Sequence, residues 1–202
     1  MPYTPKYTSV GEIENYLLTT IADTFKAQVE TWIGVIESYI DKYTDRNFKA
    51  DAVATTKKYE VEGLAENFGT VVKRDLFIDD CVEITELKIN DNIIDPTDYF
   101  IYPANELPKT RIVLDNDSGL SFVVGQQNIE VKAKWGYSVS PPNDIVFVAT
   151  VLVAGIINYG KGLSSVRSEA IGNYSVTYGD EISWQDFQRA KDILDSYKKL
   201  NI

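Results

Sequence analysis

No histidine occurs among the 202 residues, and there is one cysteine and one methionine. Without an imidazole, neither Ser-His-Asp nor Cys-His catalysis is open to the chain, nor is His-Glu-x-x-His zinc chemistry. A lone cysteine excludes an internal disulfide and a cysteine-based zinc site. Net positive charge is missing as well: 20 Lys and Arg face 30 Asp and Glu, so the formal charge is 20 − 30 = −10. Broad nucleic-acid affinity needs clustered cations, and this balance argues against it. No apolar run reaches the roughly 20 residues of a membrane span. The opening MPYTPKYTSV lacks the charged and apolar regions of a signal peptide, so a cytoplasmic protein is the expectation. What is present is ample apolar material. With 44% hydrophobic and 12% aromatic residues the chain is too apolar for disorder, and its length suits one domain, or one with an insertion.

Ser9-Val10-Gly11-Glu12 is a capping box, in which a Ser and the Glu three residues later satisfy each other's backbone N–H. A short helix is expected over Val10 to Leu18. Asp23 or Thr24 would cap a longer one, with Phe25, Val29, Trp32, Ile33, Ile36, Tyr39, Ile40 and Tyr43 at helical spacing and Glu37 among the polar positions. That helix should end near Thr44 to Arg46. After Ser140-Pro141-Pro142 the stretch Ile145 to Tyr159 is almost wholly apolar, which suits a core helix covered on most sides. Ser183 would cap a last helix with Trp184, Phe187, Ala190, Ile193, Leu194 and Tyr197 on its apolar stripe.

Between these helices the period changes. Lys57 to Gly63, Asp75 to Asp80, Val82 to Ile89, Tyr99 to Tyr102, Arg111 to Leu114 and Asn128 to Trp135 read as strands, with Asn90-Asp91-Asn92 as a hairpin turn. The fold class is therefore α+β: a helical bundle formed by both chain ends (1–49 and 139–202) with an inserted small antiparallel β domain (50–138), a sandwich or barrel.

Candidate chemistry is sparse. Asp79-Asp80 with Glu83 and Glu86 could act as acid and base or hold a metal, but strand neighbours point to opposite faces. Asp115 to Gly119 begins like a calcium loop, yet its glycine comes early and no bidentate Glu follows; a turn is the better reading. Gly160-Lys161-Gly162-Leu163-Ser164-Ser165 lacks the spacing of a phosphate loop and follows a helix, as a helix stop does. Cys81 reads as a small core residue. Tyr99, Tyr102 and Trp135 could form a platform for sugars on a carbohydrate- or protein-binding β module, although many tyrosines fall on apolar faces, where packing or subunit contacts are the better reading. No enzyme activity, catalytic residue, metal or cofactor is expected.

Four stretches carry a family likeness: Tyr7 to Leu17; Trp32-Ile33 through Tyr39 to Phe48; Tyr102 to Asn105 with Pro108 to Ile112 and Trp135-Gly136-Tyr137; and Pro142 to Gly155 with Ser168 to Tyr178. Together they resemble the head–tail connector (adaptor) proteins of tailed double-stranded DNA bacteriophages. The resemblance implies a virion protein made in the bacterial host cytoplasm. It would form a homo-oligomeric ring under the portal protein, with head-completion or tail proteins below. DNA would pass through without sequence-specific binding, and no membrane is involved. Simpler members are mostly helical, so the β insertion departs from the pattern. Expected subunit or portal contacts are Ser168, Glu169, Ile171, Tyr174, Val176, Tyr178, Trp184 and Phe187, with Tyr174, Val176 and Tyr178 on one face of an extended segment.

Overall fold

The computed structural model describes residues 4–61, 73–160, 168–171, 174–177 and 184–199. Among them are four α-helices and an antiparallel sheet, so the protein is mixed α+β. The chain divides into two compact units, Met1–Arg46 with Pro141–Ile202, and Asn47–Ser140.

The helical unit contains α1 (Val10–Leu17), α2 (Asp23–Thr44), α3 (Asn143–Gly160) and α4 (Trp184–Tyr197). The capping box forms: Glu12 N donates to Ser9 Oγ at 3.2 Å and Ser9 N donates to Glu12 Oε2 at 2.8 Å. Ala22, not Asp23 or Thr24, is the cap of α2, and its side chain makes no capping hydrogen bond. Ile13, Val29, Ile33, Val153 and Ile157 form the core between α1, α2 and α3. No residue from Ile145 to Asn158 is fully exposed, as expected of a covered core helix. No described helix is long and apolar enough to cross a membrane.

The buried stripe of α2 is Val29, Ile33, Glu37, Ile40 and Thr44, while Tyr39 is 48% exposed. The amphipathic pattern thus misplaces two residues. Glu37, read as a polar-face position, is 1% exposed. Its Oε1 accepts from the backbone N–H of Lys6 at 2.8 Å, Tyr7 at 2.6 Å and Thr8 at 3.5 Å. A carboxylate supplied with backbone donors can leave water without being stranded. Tyr7 donates its hydroxyl to Asp41 Oδ1, and the Thr8 and Thr150 hydroxyls share a hydrogen bond of 2.7 Å. The segment before α1 is thereby stitched to α2 and α3.

The far end of the unit is tied by polar contacts. Tyr43 donates to Asp195 Oδ1 at 2.6 Å, Arg46 Nε to the Tyr197 carbonyl at 2.6 Å, and Tyr197 to Asp144 Oδ2 at 2.9 Å.

In the other unit, β1 (Thr55–Val61), β2 (Asp75–Ile89), β3 (Asn92–Ile93), β4 (Tyr99–Tyr102), β5 (Lys109–Leu114) and β6 (Gly125–Trp135) form one antiparallel sheet. Its order is β1-β6-β2-β5-β4, with β3 paired to β2. The sequence suggested two strands over residues 75–89 and a sandwich or barrel; the structure has one long strand and one sheet. β2 pairs with β5 through Asp75 to Cys81 and with β6 through Cys81 to Ile89. Its register breaks between Cys81 and Glu83 and again between Ile84 and Glu86. Each break is a β-bulge, an extra residue on one strand that shifts the in–out alternation. That slip made one strand look like two. Asn90 (φ 49°) and Asp91 (φ 64°) form the hairpin turn to β3, both in the left-handed region that short β-hairpins favour.

The core of this unit gathers Leu76, Ile78, Cys81, Leu87, Ile112, Leu114, Phe122, Ile129, Val131, Ala133 and Trp135. Its first and last segments run side by side. Tyr137 N donates to the Asn47 carbonyl at 2.7 Å, Ala50 N to Ser138 at 2.9 Å and Asp51 N to Trp135 at 2.8 Å. Gly136 sits at the closest approach, with φ +140°. A Cβ there would lie 2.5 Å from Ala50 Cα and 2.8 Å from its nitrogen.

Two substitutions check these points. Gly136→Ala forces backbone apart in a conformation that L side chains rarely adopt, so it should destabilise the β unit by about 2–4 kcal/mol in urea unfolding. Glu37→Ala strands the donors of Lys6 to Thr8; a loss of about 2–3 kcal/mol and faster amide exchange at those residues are expected.

Candidate interaction surfaces

The acidic residues do not converge. Asp79 Oδ2 pairs with Lys57 Nζ at 2.8 Å and accepts from the Tyr59 hydroxyl at 3.3 Å. Glu83 pairs with Lys134 at 2.7 Å and Glu86 with Lys88 at 3.1 Å, while Asp80 is buried. Among the described residues no group of three or more acidic, His or Cys side chains could hold a metal. The calcium-like loop is a turn: Asp115 Oδ1 accepts from Asp117 N at 3.2 Å, Arg74 donates to Asn116 Oδ1 at 2.7 Å, and Gly119 supplies φ +70°. Residues 161–165 of the glycine–lysine stretch lie outside the described residues.

The sugar platform is also corrected. Tyr99 and Trp135 belong to the core of the β unit, and Trp135 Nε1 is committed to the Thr55 carbonyl at 2.8 Å. Burying these two rings stabilises the sheet and removes their faces from any ligand. Cys81 is fully buried; burial, then the Asp80 charge, pushes its thiol up to about 12, which keeps it protonated and inert. Burial likewise raises the Tyr59 hydroxyl.

Of the contact residues expected from sequence, Ser168 to Ile171 form β7 and Tyr174 to Thr177 form β8. The two pair antiparallel, Ser168 with Thr177, Glu169 with Val176 and Ile171 with Tyr174. Tyr178 lies outside the described residues, as does Ser183. Trp184 begins α4, and Phe187 on its first turns is 46% exposed.

The apolar surface that the sequence reading missed lies elsewhere. On α2, between the exposed charges of Asp23 and Lys42, the exposed residues Gln28, Thr31, Val35, Ser38 and Tyr39 carry no charge, in a chain of net charge −10. On the sheet, one outward zone is a ladder of opposite charges: Lys134 against Glu83 at 2.7 Å and Lys58 against Glu130 at 3.0 Å. The other is aromatic. Register places Phe77, Arg111 and Tyr102 in one cross-strand row and Asp75, Val113 and Phe100 in the next. Phe77 is 71% and Phe100 51% exposed, and the Arg111 guanidinium lies 4.9 Å from the Tyr102 ring centre. The available signal was parity: Phe77 and Phe100 alternate with the core residues Ile78 and Tyr99.

No protein-family model and no curated protein matches the sequence. Solved structures do. The neck of an empty GTA particle computed with C6 symmetry is similar over 96% of this chain and 90% of that one, with TM-score 0.55 and 13% identity. The neck of a native GTA particle computed with C12 symmetry gives TM-score 0.51 at 10% identity over 96% and 89%. A virion of a native gene transfer agent (GTA) particle gives 0.50 at 12% over 96% and 90%. At these identities the likeness is one of fold, and it extends along nearly the whole chain.

The thiol gives a direct check of the packed sheet. Ellman's reagent at mildly alkaline pH should leave Cys81 unmodified in the native protein and react fully once guanidinium unfolds it; rapid native labelling would contradict the buried, protonated state.

Proposed function

We propose that the chain is a structural, non-enzymatic neck protein of a phage-like particle: a head–tail connector that forms a homo-oligomeric ring under the portal protein and continues the DNA channel. One observation carries the reading, the fold shared over 96% of the chain with a component of a cyclic particle neck. The charge fits, because a conduit of net charge −10 does not retain DNA through phosphate contacts.

In this reading residues 1–49 and 139–202 build the ring and 50–138 are an insertion upon it. A closed ring needs two different complementary patches on each subunit. Contacts to a neighbouring subunit or the portal come from β7 (Ser168–Ile171), β8 (Tyr174–Thr177), Tyr178 and the start of α4 at Trp184 and Phe187. Head-completion or tail proteins dock below, and the particle is completed in the host cytoplasm.

Electron microscopy of the chain mixed with the portal of its own particle should show rings stacked on the portal; a chain that never leaves the monomeric state with portal present would overturn the reading. Val176→Asp places a charge on the hairpin. Rings should then fail to form or dock while the monomer still melts cooperatively, whereas normal assembly would move the interface elsewhere.

A further inference from the structure

The aromatic zone of the sheet has an energetic anomaly that the ring reading does not use. Two phenylalanines, 71% and 51% exposed, flank a guanidinium stacked on a tyrosine. Phe, Tyr and Arg in one cluster is the composition of interface hot spots, whereas Lys and the carboxylates are depleted there. The Arg111 side chain has a cation–π contact with Tyr102, and among the described residues no carboxylate forms an ion pair with it. The lysines of the neighbouring zone, by contrast, are matched with carboxylates. Asp75 stands at the rim, in the row next to Arg111.

We infer that the face built by Phe77, Phe100, Tyr102, Arg111 and Val113 is a docking surface for a second copy of this chain, with Arg111 receiving a carboxylate from that copy. Charge selects the occupant. Thirty acidic residues against 20 basic ones make most approaches between two copies repulsive. A face with one cation that no described carboxylate pairs, and five neutral or rim positions, removes that repulsion and answers an acidic partner. A guanidinium held 4.9 Å from the Tyr102 ring centre can offer its N–H fork to a carboxylate at reduced entropic loss. Phe77 and Phe100 around it exclude water and strengthen the pair. The contact rests on the ring reading for its place in the particle, and joins neighbours in addition to the β7–β8 hairpin.

The test uses the full chain with and without portal, by light scattering and electron microscopy. Arg111→Glu and the double variant Phe77→Ser/Phe100→Ser should each raise the concentration for half-assembly by about tenfold or more. Melting should stay cooperative, because these side chains lie outside the core. Arg111→Lys should recover only part of the loss, since an ammonium lacks the fork. A photo-crosslinking benzoylphenylalanine at position 100 should join to peptides of this same chain. Variants that assemble like the wild type would overturn the surface and leave the ring reading standing. Crosslinks to the portal or a tail protein alone would overturn the choice of occupant. A wild-type chain that stays monomeric with and without portal would overturn both readings.

Discussion

The β unit depends on the pairing of its own two ends. Residues 47–51 lie along residues 135–138 through three backbone hydrogen bonds, and Ser138 Oγ adds a fourth to the Phe48 carbonyl at 3.1 Å. Phe48 is fully buried, its ring 5.5 Å from that of Tyr137. Only a residue without Cβ lets the two passes come this close, and Gly136 provides it while donating to the Asp80 carbonyl at 2.7 Å. Holding the ends together fixes the boundary conditions of the whole sheet: β6 runs directly into the paired segment, and β2 and β1 are aligned on β6. For the helical unit, a 94-residue excursion of the chain from 47 to 140 becomes, in entropic terms, a short loop.

The helices were legible because their burial follows one period. α1 was expected over Val10 to Leu18 and spans Val10–Leu17; α3 was expected over Ile145 to Tyr159 and spans Asn143–Gly160. Periodicity reports where a side chain points, not what meets it. Glu37 points inward like Ile33 and Ile40, and its partners are backbone groups 29 to 31 residues away, which no local pattern announces. Tyr39 fails in the opposite sense, as an apolar ring left outside. In the sheet, strand positions were readable and their connections were not. Antiparallel pairing depends on registers that span the unit, and the change of partner at Cys81 has no local marker beyond Asp80 and Cys81 both being buried. Tyr99 and Trp135 kept a ligand-binding use open beside packing because composition cannot separate a buried aromatic from an exposed one.

The surface chemistry is zoned rather than uniformly acidic. Carboxylates on one part of the sheet are neutralised by lysines across the strands, and α2 shows a strip without charge. Exposed ion pairs of this kind add little stability. Their effect is to neutralise that part of the surface and to set the charge-poor faces apart from it.

The bulges in β2 have a consequence for how such a chain can vary. Val82 and Thr85 are the residues that interrupt an otherwise matched ladder, and Thr85 Oγ1 reaches the Lys132 carbonyl at 3.0 Å across the irregularity. Elsewhere in the strand, losing one residue inverts the facing of everything beyond it. At these two positions a deletion would merely restore a regular ladder, with Ile84, Leu87 and Ile89 still turned inward. They act as slack in the spelling of the strand. Loss of one residue is tolerable there because the ladder already miscounts.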